Sequence, residues 1–202
     1  MVNIKKITAG PIETNTYVIY DDKKKGVIID PGFKSLELLE FIKKGKLKIE
    51  YLLITHGHFD HVCFVKDLQE ETGAQIAMSE KDLDMIEQSH AWAGQQMGYE
   101  LKYFMPDVLL EDCDDLKVGD IKLKVITTPG HSPGGLCFYL EEERVLFSGD
   151  TLFASAVGRT DLPFASEEQI WKSINEKLFV LSDEVKVLPG HGKETTIGQE
   201  KN

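Results

Sequence analysis

The stretch YLLITHGHFDH, residues 51–61, joins an apolar run to a cluster of polar side chains. Its last seven residues contain three of the chain's six histidines and one aspartate. The apolar run predicts a buried strand that ends near Thr55. Because glycine lets the backbone bend directly after a strand, the side chains that follow can meet at one ligand. The stretch therefore predicts a functional site at the end of a sheet.

Three further predicted strands end in the same way. The strand at 121–128 is followed by Pro-Gly-His131, the strand at 144–148 by Gly-Asp150, and the strand at 185–188 by Pro-Gly-His191. Four such strand ends can converge on one rim, so we expect these polar side chains to lie together.

The residue types in these turns indicate metal binding. Zinc and iron bind neutral imidazole nitrogen and carboxylate oxygen at about 2.0–2.2 Å, with ligands arriving from several directions. His56 and His58 can point the same way at a strand end, whereas Asp60 and His61 would open the next helix and point towards a second centre. A single histidine after a strand is more often an ordinary hydrogen-bonded residue, but five of the six histidines share this position. The stretch THGHFDH, residues 55–61, therefore predicts half of a two-metal site.

Helical patterns lie between the strands. SLELLEFIKKGK is predicted to be a helix that ends near Gly45, and VCFVKDLQEETG a helix that ends at Gly73. Strands interleaved with helices predict an α/β protein whose helices cover its sheets.

Length and charge limit the class of protein further. The 202 residues are enough for one domain, which we expect to span 1–202. A net charge of -11 disfavours a nucleic-acid partner. No tract is long enough to span a bilayer, and MVNIKKIT does not resemble a signal peptide, so we expect a cytoplasmic protein without a membrane partner. The sequence leaves the oligomeric state open.

The three cysteines are odd in number and far apart in the sequence. This spacing predicts neither a disulfide framework nor a zinc ribbon. We expect reduced thiols, most of them buried.

Taken together, THGHFDH, PGHSPGG, SGDTLF and PGHG resemble the motifs of the metallo-β-lactamase superfamily in order and separation. The resemblance extends from NTYVIYDD to the last histidine. GDTLFASAVGRTDLP is most similar to the glyoxalase II-like, or hydroxyacylglutathione hydrolase-like, branch. The resemblance implies a four-layer αββα sandwich with metals at one edge of the two sheets.

The resemblance also implies a role for each motif residue. It assigns seven ligands to two metal ions: His56, His58 and His131 to the first, Asp60, His61 and His191 to the second, and Asp150 to both as a bridge. Asp30, in the segment IIDPG, would support the site from behind by accepting a hydrogen bond from a ligand histidine. The alternative for Asp30 is a plain turn residue before Pro-Gly.

The implied activity is hydrolysis of a small thioester or ester. A hydroxide bridging two divalent ions would attack the acyl carbonyl, and Asp60 would orient this nucleophile as well as bind the second ion. Zinc is the expected metal, although iron or manganese suits similar ligands. Because β-lactamases of the superfamily generally lack an aspartate bridge, Asp150 argues against a dedicated antibiotic-degrading enzyme.

Two rival interpretations remain open. In a persulfide dioxygenase-like enzyme on the same scaffold, His56, His131 and Asp150 would hold a single iron. In a non-catalytic binding module, there would be no reason to keep all seven ligands. Metal stoichiometry distinguishes the hydrolase from the dioxygenase.

Substrate contacts are predicted in two places. The aromatic-rich segment 90–105 could form a lid over the metals or an ordinary helical hairpin. Arg159 could recognise a substrate carboxylate or pair with Asp161. Full-length glyoxalase II carries a C-terminal helical segment that helps to hold glutathione, whereas only a short segment follows His191 here. The identity of the thiol therefore stays open.

Overall fold

Two six-stranded sheets face each other in the computed structural model. The structure describes residues 1–97 and 102–201, without the side chains at 90 and 92–97. The first sheet has the order β1-β2-β3-β4-β5-β6, with strands at Val2–Ala9, Thr14–Asp21, Lys25–Ile29, Lys48–Leu53, Gln75–Met78 and Val108–Leu109. The second has the order β14-β13-β10-β9-β8-β7. Its strands are β7 (Asp115–Val118), β8 (Ile121–Thr127), β9 (Leu136–Leu140), β10 (Val145–Gly149), β13 (Lys186–Pro189) and β14 (Thr195–Thr196). A small hairpin pairs β11 (Leu152–Phe153) with β12 (Ala156–Val157).

Helices cover the outer faces of both sheets. They are α1 to α6, at Leu36–Gly45, Phe59–Val62, Val65–Thr72, Leu83–Met97, Glu167–Ser173 and Ile197–Glu200. A 3-10 turn at Glu80–Asp82 precedes α4, and a π-helical turn at Ile174–Leu178 extends α5. Ser35 caps the start of α1, because its hydroxyl accepts a hydrogen bond from the Leu38 N–H.

Alternating burial along the strands produces the layers. On β2, Tyr17 and Ile19 pack between the sheets, whereas Val18 packs under the helices of the first sheet. On β9, Phe138 packs between the sheets, whereas Cys137 belongs to the core beneath α5 and α6. The order helix, sheet, sheet, helix confirms the predicted αββα sandwich.

Strand direction explains why the motif turns meet. β3, β4 and β5 run parallel, so their carboxyl ends share one edge of the first sheet. β10 and β13 are parallel to each other, and β8 points the same way because β9 is antiparallel to both β8 and β10. The two edges touch where the Leu136 N–H donates to the Thr55 carbonyl at 2.8 Å. Both sets of loops therefore open on the same side.

Some details differ from the sequence predictions. The predicted helix at 62–73 is split, because Phe64 leaves helical geometry and its N–H donates to the Pro31 carbonyl at 3.2 Å. The predicted helix ends near Gly45 and at Gly73 are confirmed. All three cysteines are free thiols, but only Cys137 is buried, so the expectation of mostly buried thiols was wrong. Among the described residues, no helix is long and apolar enough to cross a membrane.

Candidate metal centre

The first predicted ligand group joins the two sheets. His56 and His58 lie in the loop between β4 and α2, and His131 lies in the turn after β8. One donor nitrogen from each residue lies within 4.8 Å of the other two. His58 Nδ1 is 2.9 Å from His131 Nε2. Nitrogen atoms this close can bind one cation.

The second predicted group also draws on both sheets. Asp60 and His61 lie on α2, beside the first sheet, and His191 follows β13 of the second. His191 Nε2 is 3.1 Å from Asp60 Oδ2 and 3.3 Å from His61 Nε2. The structure thus brings together a second set of three donors.

Asp150 lies between the two groups. Its Oδ1 is 3.4 Å from His61 Nε2, and its Oδ2 is 3.6 Å from the Nε2 atoms of both His131 and His191. A Cβ at Gly190 would collide with the Asp150 carboxylate, so the first glycine of PGHG makes room for it. One carboxylate therefore faces nitrogens of both groups, as a bridging ligand must.

In four of the five histidine rings of the centre, the Nδ1 atom lies within hydrogen-bond distance of an oxygen atom. The Nδ1 atom of His56 lies 3.0 Å from Thr55 Oγ1, and that of His61 lies 2.8 Å from Asp30 Oδ2. The Nδ1 atom of His131 lies 2.9 Å from the Arg159 carbonyl, and that of His191 lies 3.0 Å from the Ile12 carbonyl. Carbonyl and carboxylate oxygens only accept, so we assign the proton to Nδ1. The Thr55 hydroxyl donates to Asp30 and can likewise accept from His56. In a neutral ring, this tautomer leaves the Nε2 lone pair facing the centre.

Two buried atoms in the centre have no hydrogen-bond partner among the described residues: His56 Nε2 and Asp150 Oδ1. Leaving a buried polar atom unsatisfied costs about 1–3 kcal/mol. Both atoms are electron-pair donors, and their two residues form one donor cluster with His61. The residues present therefore fit a divalent cation, which would satisfy both atoms.

The two groups differ in charge. Burial, reinforced by the neighbouring imidazoles, lowers the pKa of His56 well below its ordinary value and that of His58 to about 3. Burial also lowers the pKa of His61, but the carboxylates of Asp60 and Asp150 outweigh it and hold this pKa well above its ordinary value. His56 and His58 thus offer neutral nitrogens, whereas the carboxylates around His61 favour a positive charge at the centre of the second group.

Asp30 makes the contact that support of a ligand ring requires. Its Oδ2 lies 2.8 Å from His61 Nδ1, and its Oδ1 accepts a hydrogen bond from the Thr55 N–H at 2.8 Å. The side chain is fully buried, and its backbone has a left-handed φ of 49°. Asp30 is thus more than a turn residue, because its carboxylate lies directly behind His61.

Two residues that the sequence patterns did not single out join the loops of the centre. The Asn15 amide donates to the carbonyls of Pro189 and Gly192, on either side of His191, at 3.0 Å each. Asp82 is completely buried and follows β5, a strand that was not predicted. The rule that polar residues follow strand ends would have found Asp82 had β5 been recognised.

A cavity of about 570 Å³ opens over both groups. Its lining is largely apolar and includes Phe59, Met85 and Phe153. At its mouth, Ile12 and Phe164 are 43% and 53% exposed. The cavity has the size and lining of a small-molecule site.

The predicted substrate contacts have different outcomes. Arg159 lines the cavity, and its guanidinium forms a bidentate ion pair with Asp161, at 2.9 and 2.8 Å. The structure thus contains the Asp161 pairing, and carboxylate recognition stays a prediction. Much of the predicted lid at 90–105 lies outside the described residues.

With this geometry established, comparisons place the chain in a family. The sequence profile described as the metallo-beta-lactamase superfamily matches residues 9–191. The chain therefore belongs to the metallo-β-lactamase superfamily.

Relatives within the superfamily have several different descriptions. Hydroxyacylglutathione hydrolase GloC of Haemophilus influenzae is 37% identical, covering 99% of this chain and 95% of that protein. The crystal structure of TTHA1623 in a di-iron-bound form is 35% identical with a TM-score of 0.88, covering 98% and 96% of the two chains. The BLEG-1 B3 metallo-beta-lactamase is also 35% identical, with a TM-score of 0.86 and the same coverage.

Proposed function

We propose that the protein is a hydrolase of small thioesters or esters that uses two divalent metal ions, most simply zinc. The observation that carries this proposal is the pair of complete donor groups that share Asp150. A mononuclear iron enzyme using His56, His131 and Asp150 would leave the second group without a role. The whole chain would act as one domain, and we propose that it works in the cytoplasm.

Bound cations would lower the pKa of a water molecule towards about 7 and polarise the acyl carbonyl. The protein's part is to hold the donors and shape the cavity. Asp150 would hold both ions at a fixed separation. Asp60, whose Oδ2 lies between His61 and His191, would bind the second ion and orient the attacking water. The apolar cavity walls would hold the acyl or thiol part of the substrate and limit access of bulk water.

The relatives leave the substrate open within this class. GloC is described as a hydroxyacylglutathione hydrolase, and this chain covers 95% of its length. Length alone is therefore no reason to exclude a glutathione thioester. The similarity to BLEG-1 means that the predicted exclusion of β-lactams also requires a direct test.

Metal content and turnover test the proposal together. Protein purified without chelator or nickel is analysed for metal by plasma mass spectrometry. It is then assayed with S-lactoylglutathione, aliphatic acyl thioesters, p-nitrophenyl acetate and a chromogenic cephalosporin. About two divalent ions per chain with thioester or ester hydrolysis would support the proposal. One iron per chain with oxygen consumption on glutathione persulfide, or turnover of the cephalosporin alone, would overturn it.

A further inference from the structure

The carboxylate of Asp82 connects the two loops that supply the first donor group. It accepts hydrogen bonds from the Gly57 N–H at 2.9 Å, the Ser132 hydroxyl at 2.7 Å and the Gly134 N–H at 2.5 Å. Gly57 lies between two predicted ligands, and Ser132 directly follows a third. Asp82 itself belongs to none of the donor clusters found in the described part of the chain. Its connection to the centre is therefore through the loops.

The fold explains how one residue reaches both loops. Asp82 ends the 3-10 turn after β5, and β5 is the parallel neighbour of β4. The loop after β4 belongs to the first sheet, whereas Ser132 and Gly134 follow β8 of the second. Asp82 thus links the two sheets at the edge where the donors meet.

The loops approach Asp82 too closely for any residue but glycine. A Cβ at Gly134 would lie 2.7 Å from Asp82 Oδ1, and a Cβ at Gly57 would lie 2.9 Å from the Asp82 carbonyl oxygen. Contacts below 3.0 Å would force one of the partners to move. Gly57 and Gly134 therefore fit a close approach to Asp82.

His58 has less support from outside the centre than the rings of the second group. Among the described residues, its recorded ring hydrogen bond is to the other ligand, His131, at 2.9 Å. By contrast, His61 Nδ1 lies 2.8 Å from Asp30 Oδ2, and His191 Nδ1 lies 3.0 Å from the Ile12 carbonyl. The loop backbone therefore has a larger part in placing His58.

We infer that Asp82 is a positioning residue for the first metal ion, because its carboxylate fixes the loop that carries His56 and His58 against the loop that carries His131. The inference rests on the proposed two-ion function, and it concerns metal affinity rather than the choice of substrate. Removing a hydrogen-bonding partner behind a metal ligand typically costs about 10- to 100-fold in affinity or activity.

Zinc affinity of the full chain tests this inference without any substrate. Metal-free protein is titrated with Zn²⁺ in competition with a chromogenic chelator. In Asp82→Asn, an amide NH₂ would face at least one former donor, and we expect one of two zinc ions to bind about 10- to 100-fold more weakly. Unchanged affinity for both ions in the folded variant would overturn the inference.

Two background variants assign the loss to one group. In His191→Ala, where the second group lacks a ligand, Asp82→Asn should weaken the remaining zinc ion by a similar factor. In His58→Ala, where the first group is already incomplete, Asp82→Asn should change the remaining affinity by less than about twofold. Equal losses in both backgrounds would overturn the inference, because they would indicate a general effect on the fold.

Asp21→Asn is the matched control. Asp21 is also a buried carboxylate that accepts two backbone N–H bonds, from Lys25 at 3.0 Å and Asp120 at 3.1 Å. It lies at the opposite end of β2 from Thr14, about 23 Å away along the strand. We expect a lower Tm with both zinc affinities retained. Zinc loss equal to that of Asp82→Asn would contradict a specific role for Asp82.

A milder variant covers the case in which Asp82→Asn does not fold. Ser132→Ala removes one donor and leaves the two backbone bonds to Asp82. Affinity for the first ion should fall by at least about threefold, and unchanged affinity would overturn the inference. If the native chain binds no zinc at all, the proposed function fails instead. Two tight zinc ions with no effect of these variants would refute the positioning role alone.

Discussion

The first donor group consists of three imidazoles, whereas the second combines two imidazoles with the carboxylate of Asp60. Their supports differ too. The first group has Asp82 behind it, acting on two loop backbones, whereas His61 of the second has a carboxylate directly on its ring. One centre therefore uses two means of fixing its donors, and substitutions should separate them.

A substitution at Asp150 should affect both donor groups alike, because its two oxygens face nitrogens of both. We expect Asp150→Ala to remove tight binding of both metal ions and to lower turnover about 1,000-fold, or roughly 4 kcal/mol of transition-state stabilisation. Metal analysis and thioester assays of the purified variant would measure this. Asp183→Ala, which removes an exposed carboxylate paired with Lys201, is the control. Full turnover in Asp150→Ala would refute the bridging assignment.

Asp30→Asn should separate the two groups. An amide NH₂ in place of Oδ2 would donate to His61 Nδ1 and push that ring's proton to Nε2, the atom that faces the centre. We expect affinity for the second zinc ion to fall about 10- to 100-fold, with a smaller loss for the first. Competition titration against a chelator measures both. A larger loss at the first ion would show that Asp30 acts mainly through Thr55, which holds His56.

Sequence patterns were enough to predict an α/β protein and the residues that now lie in the centre, and the family resemblance added the αββα sandwich. They succeeded because His56, His131, Asp150 and His191 each follow a strand, and strand direction then determines that these ends meet. Periodicity also predicted the ends of α1 and α3, where the chain adopts left-handed conformations at Lys46 and Gly73.

The supporting contacts could not be predicted in this way. Asn15 and Asp82 act on loops 174 and 52 residues away in the sequence, at the Pro189 carbonyl and at Gly134. No local pattern encodes such a pairing, because it depends on how the two sheets are placed. The split between α2 and α3 has the same origin, since it depends on a contact from Phe64 to Pro31.

Asn15→Ala should affect the second group moderately. The amide donates to two carbonyls beside His191, and each hydrogen bond is worth about 0.5–1.5 kcal/mol. We expect the free energy of unfolding to fall by about 1–3 kcal/mol, with weaker binding of the second zinc ion only. Denaturant unfolding of the metal-free protein gives the first quantity, and chelator competition gives the second. Weaker binding of the first ion alone would contradict the assigned grouping.

Thr14→Val should have the smallest effect and gives the sharpest test of independence. The Thr14 hydroxyl contacts the second group through one hydrogen bond, which it donates to Asp60 Oδ2 at 3.3 Å. Losing one such bond of about 0.5–1 kcal/mol should weaken the second zinc ion about two- to fivefold and leave the first unchanged. An equal change at both ions would mean that the groups respond as one unit. Asp150 would then transmit small displacements between them, because its carboxylate contacts nitrogens of both groups.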